Sequence, residues 1–221
     1  MENPITYLTV RWAIIASAAA LVFLATLHFV SPEFDPSWRM VSEYALGNHK
    51  WLISLFFVFW GIGSMSLAFS LWSLATGKLG KLGVVLLFIS GIGEVLAAVF
   101  DAKHGLHGLA AMLGVPTLPI AALLVSYHLK SKEGWAAHKK PLLLSAHATW
   151  FSLVLMVVAM MVMMTGFQAA GIEFKEGAEP PKFVPEGVIA LGGYTNRILV
   201  IAYLAWLIIV ARIFLKINAQ K

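Results

Sequence analysis

Hydrophobic positions along this chain fall into six long blocks separated by short polar stretches. The blocks cover about 10–30, 51–74, 82–100, 106–129, 141–165 and 196–217. A hydrocarbon core about 30 Å thick takes about 20 apolar residues per helix, so each block reads as a spanning helix. The pattern predicts an all-α bundle of six transmembrane helices in one domain, residues 1–221, with no separate soluble part.

The breaks between blocks carry their own signals. The first block ends at Ser31-Pro32, where proline cannot continue a helix. After it, Asp35 suits an N-cap and Pro36 a first helical position. Trp38, Val41 and Ala45 then repeat at helical spacing, with Asp35, Arg39 and Glu43 on another face. This predicts a short amphipathic helix over 35–46, lying at the interface and stopping at Gly47. In the third block Ser90, Glu94, Ala97, Asp101 and His104 stay on one side of a helix, and a Glu at membrane depth must face protein or water. Pro116 and Pro119 predict a kink in the fourth block, whose freed carbonyls need partners from neighbouring helices. The stretch 166–195, with Glu173, Glu176, Glu179 and Glu186 and the pair Pro180-Pro181, reads as a long polar loop that is ordered only if it packs on something.

Composition agrees with this reading. Of 221 residues 60% are hydrophobic and 12% charged, against roughly 25% charged in an average soluble domain. The net charge of +5 comes from Lys and Arg beside apolar segments, with no continuous basic face for nucleic acid. With no Cys, disulfides, thiolate nucleophiles and iron–sulfur ligation are excluded. The amino end has no basic n-region, so the first block is expected to remain a span.

Basic residues also suggest an orientation. Arg11, Lys78, Lys81, Lys130, Lys132, Lys139, Lys140, Arg212, Lys216 and Lys221 fall on one side. Arg39, Lys50, Lys103, Lys175, Lys182 and Arg197 fall on the other. The first side is expected to be cytoplasmic, which places both termini inside a cytoplasmic membrane. Trp12, Trp51, Trp72, Trp135, Trp150 and Trp206 would then form aromatic belts, and Gly61, Gly63, Ser64, Ser66 and Ser70 would allow close helix packing.

This orientation gathers the candidate chemistry at one end. His28, Glu94, Asp101, His104 and His107 could hold a divalent metal such as zinc, since imidazole and carboxylate suit it and an open position would generate a nucleophilic hydroxide. In a lipid hydrolase Ser42, Asp101 and His107 would be the catalytic groups. Asp35, Arg39, Glu43 and Arg197 would bind ligand, the arginines by holding a phosphate. The structural alternative has the same His and Asp residues capping helix ends, with Asp101 and Lys103 in a solvated turn. Haem ligation would need facing histidines, His28 with His107 or His128 with His147. The run Met156 to Met164 is a copper candidate or, more simply, flexible core filler, and Glu94 beside a kinked span is compatible with proton-coupled transport.

The residues Ser31-Pro32-Glu33-Phe34-Asp35-Pro36 and Val41-Ser42-Glu43-Tyr44-Ala45-Leu46-Gly47, then Val99-Phe100-Asp101 with Leu106-His107-Gly108, and Gly193 to Arg197 before Trp206 resemble the domain-of-unknown-function 998 family. Those are prokaryotic six-span membrane proteins, and the resemblance implies fold and topology but no activity. A looser likeness to seven-span ceramidase-like hydrolases stops at the span count and at the missing paired His of a last span. The sequence thus points to a polar pocket that binds membrane lipid or an amphipathic molecule, with a metal hydrolase, a redox protein and a transporter or accessory subunit as alternatives.

Overall fold

In a computed structural model, residues 4–172 and 181–219 are described. They form α1 (Pro4–Val30), α2 (Lys50–Leu71), α3 (Gly77–Val99), α4 (His107–Gly114), α5 (Thr117–Leu129), α6 (Lys139–Ala169) and α7 (Gly192–Asn218), with short 3-10 helices at Val41–Leu46 and Ala136–His138. No strand occurs among the described residues. Counting α4 and α5 as one broken element, six helices are long and apolar enough to cross a membrane. Connections 31–49 and 100–106 and the described residues between α6 and α7 lie at one end of the bundle, here the loop end; the first residues of α1 and the last of α7 lie at the other.

Lipid-soluble helices gain little from hydrophobic association in a membrane, so close approach and polar links must hold them together. Both are present. On α1 the small residues Ala13, Ala16, Ser17 and Ala20 are buried while Leu8, Ile15, Val22 and Phe29 point outward. A Cβ on Gly61 of α2 would come 2.7 Å from the Gly91 carbonyl oxygen of α3, and one on Gly93 would come 2.4 Å from the Gly114 nitrogen. Only glycine fits at these crossings. The packing role expected for Gly61 thus holds, whereas Ser64 serves as a hydrogen-bond partner instead.

The fourth span breaks where its prolines stand, with α4 ending at Gly114 and α5 starting at Thr117. Pro119 has no N–H to offer the Val115 carbonyl, and Tyr203 Oη of α7 donates to that oxygen at 2.8 Å. Gly114 O lies 2.9 Å from Ser90 Oγ of α3, and Thr117 Oγ1 bonds to Leu113 O. The α4 half packs chiefly on α3 and leaves a gap towards α6 and α7.

Three expectations change. The segment 35–46 is not one amphipathic helix at the interface: Asp35 Oδ1 accepts the Ser37 N–H and hydroxyl at 2.9 and 2.7 Å, and this local turn competes with helix initiation. Only Val41–Leu46 is helical, as a 3-10 turn, and Phe34, Trp38, Val41 and Tyr44 are buried. Trp135 and Trp206 are not part of an aromatic belt. Both are buried in the bundle, and Trp206 Nε1 donates to Ser126 Oγ at 3.0 Å. The stretch after the fifth block is also less loop than expected, because α6 runs on to Ala169 and α7 starts at Gly192. In between, Val184, Val188 and Ala190 pack against Trp38, Met163 and Phe167. Glu173, Glu176, Glu179 and Lys175 lie outside the described residues.

Candidate functional site

A cavity of about 620 Å³ opens within the bundle at the break between α4 and α5. Its walls come from α2, α3, α4, α6 and α7, and the 3-10 helix supplies Val41 and Ser42. Most of the lining is apolar, including Phe56, Phe57, Leu153 and Leu199. Met112 and Val157 belong both to this lining and to the exposed surface of the spans, at 67% and 45% exposure. The cavity wall at these two side chains is largely uncovered by the rest of the bundle.

Ser42, Glu94, His107, Trp60 and Asn196 supply its polar atoms. Glu94 is buried on α3. Its Oε2 accepts the Ser64 hydroxyl at 2.7 Å, and its Oε1 lies 3.0 Å from Ser90 Oγ. Through Ser90 the carboxyl is thus linked to the Gly114 carbonyl at the helix break. His107 Nδ1 lies 2.8 Å from Phe100 O and must be the donor there. Asn196 Oδ1 accepts the Val41 N–H at 2.9 Å and thereby fixes the 3-10 helix on α7. Trp60 Nε1 is buried and has no hydrogen-bond partner among the described residues.

A second polar cluster closes the loop end. Arg197, 7% exposed, donates Nε to His28 Nε2 at 2.7 Å, Nη1 to Arg39 O at 2.7 Å and Nη2 to the Tyr44 hydroxyl at 3.0 Å. Its remaining acceptors are the Pro36 and Gly193 carbonyls. His28 Nδ1 in turn donates to Leu24 O at 2.7 Å. Arg39 Nη1 donates to Pro181 O at 2.9 Å, and its Nε sits 3.2 Å from Glu43 Oε2, an ion pair without hydrogen-bond alignment. Glu43 Oε2 also accepts the Met40 N–H at 2.7 Å. Burial pushes the Glu43 carboxyl above its ordinary value of 4.5, against the opposing pull of Arg39.

The expected sites are therefore divided. Ser42, Glu94 and His107 meet at one cavity; Asp101, His104 and His28 are elsewhere. Asp101 Oδ1 accepts the Lys103 N–H at 3.0 Å, and His104 Nδ1 accepts that of Leu106 at 3.1 Å while its ring stacks on Phe100. Among the described residues no three His, Asp or Glu side chains gather to hold a metal. The expected zinc set is not assembled, because each member is turned to a different partner. The catalytic trio likewise lacks Asp101. Asp35, Arg39, Glu43 and Arg197 do not line the cavity; they tie down the segment 35–46. Nor does the haem pairing survive for His28, both of whose nitrogens are engaged. His128 Nε2 lies within reach of both Leu74 O and the Thr76 N–H and, according to its tautomer, bonds to one of them, and His147 Nε2 pairs with the Tyr127 hydroxyl.

Trp60, Asn196 and Tyr203 escaped the sequence reading. Asn196 beside Arg197 at the start of the last block was the best available signal, since an amide at a span end needs partners.

No curated protein and no solved structure matches the chain. The match that does exist runs over residues 14–213, nearly the whole bundle that builds the cavity and the arginine cluster. By that match the chain belongs to the family described as Protein of unknown function (DUF998).

Proposed function

We propose that the protein binds a lipid-derived or amphipathic molecule in the cavity at the α4–α5 break, lying in a cytoplasmic membrane with both termini inside. The observation that carries this reading is the cavity's pairing of an uncovered apolar wall with a few polar side chains. Its apolar walls reach the lipid-facing surface at Met112 and Val157, while Ser42, Glu94 and His107 stand on its lining. A volume of about 620 Å³ falls within the roughly 300–1,000 Å³ of ordinary small-molecule sites, which are apolar with a few placed polar groups. A chain-bearing molecule would enter sideways from the bilayer and bring its polar end to the polar side chains of the lining.

Native mass spectrometry of the purified protein tests it. Wild-type protein should carry a bound lipid that Ala111→Trp, which fills the cavity from α4, displaces while the protein stays folded. Equal lipid retention by folded Ala111→Trp would remove this reading.

A further inference from the structure

We propose that the molecule held in this cavity has an uncharged, hydrogen-bond-accepting polar end, such as the ester or hydroxyl head of a single-chain neutral lipid. This inference rests on the lipid-binding reading above and narrows it to one chemical class.

Charge is the first argument. No Lys or Arg lines the cavity among the described residues. The two buried arginines nearby are spent: Arg197 on His28, Tyr44 and backbone carbonyls, Arg39 on Glu43 and Pro181 O. An anionic head such as a phosphate would be desolvated there with no counter-charge, and burying an unpaired charge is costly.

A cationic head fares no better, because the one carboxyl in the lining is already satisfied. Ser64 and Ser90 bring two hydroxyl protons to three acceptors, Glu94 Oε1, Glu94 Oε2 and Gly114 O. Ser90 has one proton for Glu94 Oε1 and Gly114 O, the latter also 3.5 Å from Thr117 Oγ1; a proton on Glu94 would complete the set, with Glu94 Oε1 then donating to Ser90, Ser90 to Gly114 O and Ser64 to Glu94 Oε2. Each polar atom then has a partner, as buried groups require. A neutral Glu94 offers no charge to a cation. The other titratable groups facing it are His107 across the cavity and Tyr203 of α7, neither an anion that would take its place.

What the lining lacks is an acceptor. Trp60, 5% exposed and flanked by Phe56, Phe57 and Tyr203, has its Nε1 N–H buried without a partner among the described residues. Among the described residues Asn196 gives its amide N–H only to the Met156 sulfur, at 3.4 Å, a weak acceptor. A carbonyl or hydroxyl oxygen entering beside these side chains would offer Asn196 a stronger acceptor than that sulfur and Trp60 the partner it lacks.

Matched single-chain lipids decide the matter. Monooleoylglycerol, oleoyl lysophosphatidic acid and oleylamine are titrated against full-length protein in maltoside detergent, with binding read by the shift in unfolding temperature. Monooleoylglycerol should raise it and the two charged lipids should not. Glu94→Gln, which keeps a donor and an acceptor at that place, should bind monooleoylglycerol within about twofold of wild type. Trp60→Phe should weaken it about 5- to 10-fold, the worth of one hydrogen bond. Preference for the phosphate or the amine, or loss of binding in folded Glu94→Gln, overturns the neutral-head inference but leaves the lipid-binding reading standing. Failure of all three lipids to bind overturns both.

Discussion

Arg197 Nε donates to His28 Nε2 at 2.7 Å, so the last helix is fastened to the first at the loop end. The same guanidinium holds the carbonyls of Arg39 and Pro36 and the Tyr44 hydroxyl, and the connecting segment is thereby drawn down over the cavity. A buried cation surrounded by neutral acceptors costs desolvation that only a full set of hydrogen bonds offsets. Arg197→Leu leaves His28, Tyr44 and the carbonyls unmatched, at about 1–3 kcal/mol for each buried group left without a partner. The measurable outcome is a large drop in unfolding temperature in detergent. Arg197→Lys should recover only part of it, since one ammonium cannot span the fork.

The helix break is held by Tyr203 and Ser90. Tyr203→Phe removes the only side-chain donor to Val115 O among the described residues, and about 1–3 kcal/mol should be lost. Hydrogen exchange should speed up first at residues 113–118 rather than across the bundle. Uniform acceleration would mean that the break is stabilised by something else.

Gly93 sets the distance between α3 and α4. A Cβ there would lie 2.4 Å from the Gly114 nitrogen and 2.8 Å from the Ala110 oxygen, both backbone atoms. Gly93→Ala must push α4 away, destabilising the fold by about 1–3 kcal/mol as overpacking does. Gly108→Ala, whose added Cβ meets nothing within 4 Å, should leave the unfolding temperature unchanged.

Glu43 gives the loop end a pH dependence. Its carboxyl is raised by burial, so the folded state holds this proton more tightly than the unfolded chain does. Its contribution is complete below the ordinary value of 4.5 and is lost as pH rises through the higher folded value. Wild-type protein should therefore lose some stability on going from acid pH upward through that range. Glu43→Gln should flatten this component, and an unchanged slope in that variant would refute the assignment.

Orientation can be read chemically because the chain has no cysteine. A single cysteine at Lys103 should react with a membrane-impermeant maleimide added to intact cells, whereas one at Lys140 should react only after lysis. The reverse pattern would invert the bundle.

How much of this was legible beforehand depends on the range of the forces involved. Spans and the break at Pro116 and Pro119 were readable because apolar length and a missing N–H are local properties of the chain. That Glu94 needs partners was readable for the same reason, a carboxyl being costly at that depth wherever those partners are. Of its partners, Ser90 was readable one turn away on the same face; Ser64, 30 positions away, and the Gly114 carbonyl that Ser90 reaches on another helix were not, so only packing could choose them. His28 and Arg197 resembled a ligand and a phosphate clamp until the fold set them face to face across 169 positions. Sequence by itself determined that this protein is a six-helix membrane bundle with polar groups concentrated towards one end. Tertiary structure alone decided which of those groups bond to one another and which are left to line a cavity, because a hydrogen bond is settled within about 3 Å and no spacing along the chain reports that distance.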